Sequence, residues 1–169
     1  MNSVDTLISE LITILNKEIE LHKQLLSILH KEREFLIDLS TEKILENSKK
    51  KETCTLRIKM LEESRLLLVD KLSQHYSVPS QGLTLSRIVS LVEGPPRFAL
   101  DAAQSTLTSL IKSIKEVNQC NCLIVKDSLY YFNRSLDFLN YASSANPTYV
   151  DSGKIKDPKR FGSLLSKEI

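Results

Sequence analysis

The 169-residue chain is rich in Leu, Ile, Lys, Glu and Ser, holds only 4 Gly, 5 Pro and no Trp, and carries a formal net charge of +2. Its 23 basic and 21 acidic residues are interspersed, which leaves no electrostatic footprint for nucleic acid. The low Gly and Pro content favours long helices, and the length suffices for one domain with a real core.

The N-terminal stretch, Met1 to Leu15, has no positive n-region and no small-residue cleavage site, so no secretory signal is expected. No stretch reaches the roughly 20 apolar residues of a membrane span. Three cysteines, Cys54, Cys120 and Cys122, cannot form a closed set of bridges; so sparse and odd a number points to a reducing cytoplasm. The tight basic run Lys49-Lys50-Lys51 reads as a solvated helix face. Asn133-Arg134-Ser135 has the form of a glycosylation sequon, but it falls mid-helix in a chain without an export signal.

The first helix is expected from about Val4 to about Leu39. Asn2 or Ser3 can cap it, Asp5 suits its first turn, and Val4, Leu7, Ile8, Leu11 and Leu15 recur at helical spacing. Its length, about 54 Å at 1.5 Å per residue, suits a coiled-coil hairpin. Asp38, Ser40 and Thr41 mark a break and a new start. A second helix follows to about Tyr76, with Leu61, Leu68, Val69 and Leu72 on its apolar side. Its early part, Asn47 to Thr55, is polar and faces the equally polar stretch His30 to Glu34. The hairpin tip is therefore expected to project into water, with the body of the bundle at the chain's N-terminal end.

Ser77 to Gly82 reads as a loop, interrupted by Pro79. Thr84 can cap a short helix carrying Leu85, Ile88, Val89 and Val92, and Gly94 suits a left-handed residue at its end. Pro95 and Pro96 then open a last helix, from about Arg97 to about Ala142, where a missing N–H is harmless. Its apolar positions include Leu107, Ile111, Ile114, Val125, Phe132 and Leu139. They are expected to pack along the hairpin, because each large side chain gains about 1.5–3 kcal/mol on burial. The fold class is thus all-α: an elongated antiparallel helical bundle, or coiled-coil hairpin, of three long helices and one short one. Residues 1–145 form the bundle domain and residues 146–169 a flexible C-terminal tail.

A search for reaction chemistry yields little. His22, His30 and His75 form no HExxH or Glu-x-x-His pattern, and His22 reads as a packed structural histidine. Cys120 and Cys122 point about 200° apart on a helix, which suits small packing residues rather than a shared metal or a bridge. There is no phosphate-cradling glycine loop and no GxSxG. The chain is expected not to be an enzyme and to need no cofactor or metal. Asn118 and Asn121 stand among the apolar positions of the last helix. They read equally as a polar notch that fixes register in a helical seam and as amides that reach solvent at the seam's edge.

In order along the chain come Asn118 and Asn121, an aromatic-rich helix from Leu129 to Leu139, and then Thr148-Tyr149 and Gly153. This succession, Asn-x-x-Asn, aromatic helix, Thr-Tyr-x-x-x-Gly, resembles the FlgN family of flagellar type III export chaperones. Lys31 to Leu39 resembles it moderately and the first helix weakly. The resemblance implies a cytoplasmic, non-enzymatic chaperone. Such a protein holds hook-associated proteins of the hook–filament junction through their C-terminal helices, prevents premature assembly and delivers them to the export gate. It further implies client binding at Leu129, Phe132, Leu136 and Leu139, and export-gate docking at Tyr149. Asn118 and Asn121 would add specificity. No nucleic acid or small-molecule substrate is expected, and the membrane enters only through the export apparatus. The chain departs from the family pattern after Gly153, where Asp157 and Pro158 could open a short helix bearing Phe161, Leu164 and Leu165. That segment is either a frayed basic tail or a plug for the empty client cleft. Two other classes stay open: a structural coiled-coil protein that self-associates through the apolar face of its last helix, and a ligand-binding helical bundle of the sensory type.

Overall fold

The computed structural model describes residues 3–144. Four helices account for nearly all of them: α1 (Ser3–Ile37), α2 (Thr41–Tyr76), the short α3 (Leu85–Leu91) and α4 (Pro95–Ser144). A single 3₁₀ turn spans Ser80–Gly82. No strand occurs among the described residues, so the expected all-α class with three long helices and one short one holds. The chain divides into two units, residues 1–122 and 123–169.

In the first unit α1 and α2 form an antiparallel hairpin. Its partners climb along α2 as they fall along α1: the Asn47 amide donates to the Ile28 carbonyl (3.0 Å), the Cys54 thiol to Leu21 (3.4 Å) and Arg65 to Glu18 (3.1 Å). The core gathers where expected, at the N-terminal end of α1. Ile8, Leu11 and Leu15 meet Leu68 and Leu72 of α2, Ile88 and Val89 of α3, and Leu100, Ala103 and Leu107 of α4. Leu11, Leu72, Ile88 and Leu100 are fully buried, each supplying about 1.5–3 kcal/mol of apolar burial.

The helix ends follow local chemistry. Thr84 caps α3 by accepting from the Arg87 N–H at 3.3 Å, and Pro95 opens α4. Gly94 adopts φ +74°, but α3 has already ended at Leu91, with Val92 as its extended C-cap; the glycine turns the chain into α4 instead. Both α1 and α2 end with left-handed non-glycine residues, Leu39 (φ 52°) and Ser77 (φ 53°). Each is held by the six-residue hydrogen bond of a Schellman turn: Ser40 N–H to Phe35 carbonyl at 3.1 Å, and Val78 N–H to Ser73 carbonyl at 3.1 Å.

The tip differs from expectation in one respect. Ile37, Leu39 and Leu45 at the turn are exposed, and so are most residues of the polar stretches below it, but Glu32 and Asn47 are joined across the hairpin rather than solvated. Glu32 and Asn47 are both buried, because each meets a polar partner on the facing helix.

Candidate functional site

Two arrangements stand out: a polar knot in the first unit and an uncovered apolar helix in the second. The knot ties three helices together. Glu32 of α1 accepts from Lys51 of α2 at 2.6 Å through Oε1, and from Asn121 of α4 at 2.9 Å through Oε2. The same Asn121 Nδ2 donates to the Leu29 carbonyl at 2.9 Å. Its Oδ1 accepts a longer contact, 3.4 Å, from Arg33 Nε. Glu32 thus has both carboxylate oxygens engaged, as a buried charge requires. Among the described residues no buried side-chain N or O lacks a partner.

The two asparagines part company here. Asn121 is buried and Asn118 is exposed. Both stand on the apolar side of α4 by periodicity, but only Asn121 arrives level with Glu32. The flanking Cys120 and Cys122 are exposed rather than packed, which corrects the sequence reading; they straddle Asn121 and so point away from the seam. Cys54 is the packed one: burial pushes its thiol pKa up. His22 is half-buried, with Nδ1 donating to the Glu18 carbonyl at 2.7 Å. It lines a cavity of about 340 Å³ beside the Glu18–Arg65 ion pair. A broader groove of about 830 Å³ lies along the hairpin between Lys17 and Leu21 of α1 and Arg57 and Met60 of α2. No group of three or more His, Cys, Asp or Glu is assembled as for a metal among the described residues.

The second unit is the C-terminal part of α4. Val125, Leu129, Phe132, Leu136 and Leu139 repeat at alternating four- and three-residue steps and fall within an arc of about 80° on the helix. Phe132 is 61% exposed, Leu129 56% and Leu139 58%; Leu136 is half-buried. Val125, Phe132 and Leu139, which were expected to be buried, are exposed. Periodicity shows that a face is apolar; it does not supply the surface that covers it.

A second stripe lies roughly opposite the first. Leu123, Tyr130, Phe138 and Tyr141 occupy it with Tyr131 at its edge, and all five are exposed. The Tyr130 and Tyr131 rings meet edge-on at 5.6 Å, and the Arg134 guanidinium sits 6.0 Å from the Tyr130 ring centre. The sequence pattern assigns an apolar face only to the first stripe. The signal for the other was present: five of the chain's ten Phe and Tyr fall between residues 130 and 141. A helix apolar on two opposite sides belongs inside something. Tyr149, Gly153, Phe161, Leu164 and Leu165 lie outside the described residues. No described helix is long and apolar enough to cross a membrane.

A family model described as FlgN protein matches residues 1–157. No curated protein and no solved structure matches the chain.

Proposed function

The chain belongs to the FlgN family, whose function is of the flagellar export chaperone kind, and from that premise we propose that it holds hook-associated proteins in the cytoplasm before their export. The observation that carries the reading is the exposed Leu/Phe stripe of α4, with Leu129, Phe132 and Leu139 more than half exposed. Heptad spacing is what an amphipathic client helix needs in order to lie along it. Hook-associated proteins assemble through terminal helices, so a helix held in this way cannot assemble early.

Magnitudes fix how much of α4 a client must cover. Full burial of a large apolar side chain gains about 1.5–3 kcal/mol. These residues are already partly covered, so burying the remainder gains roughly 1 kcal/mol each, about 5 kcal/mol for the stripe. Association alone costs on the order of 4–15 kcal/mol. One stripe is too little for a lasting complex. The client therefore also engages the tyrosine stripe, whose rings would bury about 150–250 Å² each if fully covered. Rim charges at Lys126, Asp127 and Arg134, with Asn118, supply discrimination among clients. Asn121 contributes by fixing the register of α4 in the first unit.

The test is Phe132→Asp. Phe132 is 61% exposed, so helicity by circular dichroism stays unchanged while co-purification with hook-associated proteins is lost. Undiminished client binding by this variant overturns the reading, and a concentration-dependent mass in light scattering without client would favour self-association instead. Delivery is assigned to Tyr149 docking on an export-gate component. Tyr149→Ala then keeps the client and loses its secretion; normal secretion removes that role.

A further inference from the structure

We propose that the tyrosine side of α4 selects client helices that carry one basic and one acidic residue seven positions apart on the face they dock with, and that Asp127 and Arg134 read the two charges. This selection deepens the reading that a client helix covers α4 and rests on it; its geometry lies in the second unit alone.

Leu123, Tyr130, Tyr131, Phe138 and Tyr141 are each more than half exposed and fall within an arc of about 100° on α4. Asp127 and Arg134 fall inside the same arc, within about 20° of its midline. Seven positions apart, they stand one above the other, about 10.5 Å along the axis. Both are exposed, and no ion pair forms among the described residues of the second unit. The Arg134 guanidinium lies 6.0 Å from the Tyr130 ring centre, which keeps it along the stripe with its N–H groups available to a carboxylate.

Charges on the midline of an apolar side constrain whatever covers it. A helix apolar along its whole contact would strip water from Asp127 and Arg134 and give neither a partner, and an unpaired charge taken out of water is costly. A helix that presents a base to Asp127 and an acid to Arg134 avoids that penalty. A straight helix brings residues i and i+7 back to nearly the same side, so the two partner charges stand seven apart on the client as well. Basic-then-acidic suits a client running parallel to α4, and acidic-then-basic suits an antiparallel one. Two like charges fail in both directions, because one of them always meets its own sign.

The other charges of the described second unit are Lys126 and Asp137. They stand on one flank, about 80° and 60° from the midline, where they meet only the edge of a docked helix. Residues 123–144 thus hold two basic and two acidic side chains and no net charge. The whole chain, at +2, would by net attraction alone prefer an acidic partner, so a preference for mixed charge has to come from the midline pair.

Fluorescence anisotropy tests this with three labelled helical peptides of one length and one apolar face. They differ only at two docking positions seven apart, which hold Lys and Glu, Lys twice, or Glu twice. The full chain is expected to bind the mixed peptide about tenfold more tightly than either of the others. Asp127→Arg should transfer the preference to the peptide with two Glu, and Arg134→Asp to the peptide with two Lys. Helicity should be unchanged in both variants, since both side chains are exposed. A second set, with the same charges on the outer face of the peptides, should show no preference. Any of four results overturns the proposal: no preference for the mixed peptide, a preference that neither substitution moves, equal discrimination within the outer-face set, or no saturable binding of any peptide. Each leaves the client reading to Phe132→Asp and the hook-associated proteins; client binding that survives Phe132→Asp removes that reading without altering what the peptides show.

Discussion

Replacing Asn121 by alanine should unfasten α4 from α1, whereas the same change at Asn118 should do almost nothing. Asn121 is 3% exposed and donates two bonds of 2.9 Å, one to the Leu29 carbonyl and one to the Glu32 carboxylate. A hydrogen bond to a charged partner contributes about 1.5–3 kcal/mol and one to a neutral carbonyl about 0.5–1.5 kcal/mol. Glu32 keeps Lys51 at 2.6 Å, so its carboxylate is not orphaned and the larger penalty of an unpaired buried charge does not arise. The expected loss for Asn121→Ala is therefore about 3 kcal/mol. Asn118 is exposed, and its alanine variant should stay within about 0.5 kcal/mol of the parent. Urea unfolding followed at 222 nm measures both. A double-mutant cycle of Asn121→Ala with Glu32→Ala isolates the bond they share, and a coupling of about 1.5 kcal/mol is expected. If the two asparagine variants unfold alike, or if the coupling vanishes, the knot does not hold the helices and the reasoning fails.

Two further outcomes follow from single residues. Leu39 sits at φ 52° and is 74% exposed; a left-handed conformation costs a non-glycine residue about 1 kcal/mol or more, so Leu39→Gly should raise stability by roughly 0.5–1 kcal/mol, and a lowered melting temperature would contradict the strain argument. Burial raises the Cys54 pKa, which lowers its thiolate fraction at any pH near 8; Ellman's reagent should titrate Cys120 and Cys122 rapidly and Cys54 only on unfolding, and three fast thiols would refute its burial.

The parts of the fold that could be read from sequence are those decided locally. Thr84 supplies a cap, Pro95 a helix start, and the leucine spacing of α1 and α2 their inner faces. The end of α1 was less legible, because Leu39 takes the left-handed position without being glycine. Ser80–Gly82 has the composition of a loop, yet it forms a 3₁₀ turn, closed by the Gly82 N–H on the Pro79 carbonyl at 2.9 Å. The fate of the two asparagines was not legible at all. They are three residues apart on the same side of a helix, and what separates them is Glu32, 89 positions away from Asn121. Pattern on one helix says which side is inward; only the alignment of two helices says which inward residue meets a partner.

The same limit explains the last helix and gives it meaning. Within α4, residues such as Leu100, Ala103 and Leu107 have their partners in the chain's own core, while Leu129, Phe132 and Leu139 repeat the pattern with none to bury them among the described residues. Were their role only structural, charged or polar residues would serve better at those exposed positions, since a surface helix gains solubility from them and loses little stability. The aromatic stripe on the opposite side compounds the cost, because no rotation of the helix can hide both stripes on one neighbour. A sequence that keeps both is organised for a cover made of more than one helix. On the proposed reading the cover is the client's: Phe132→Asp, which spoils one stripe, and Tyr130→Asp, which spoils the other, should then each weaken client binding, and loss in only one of them would restrict the client to that stripe.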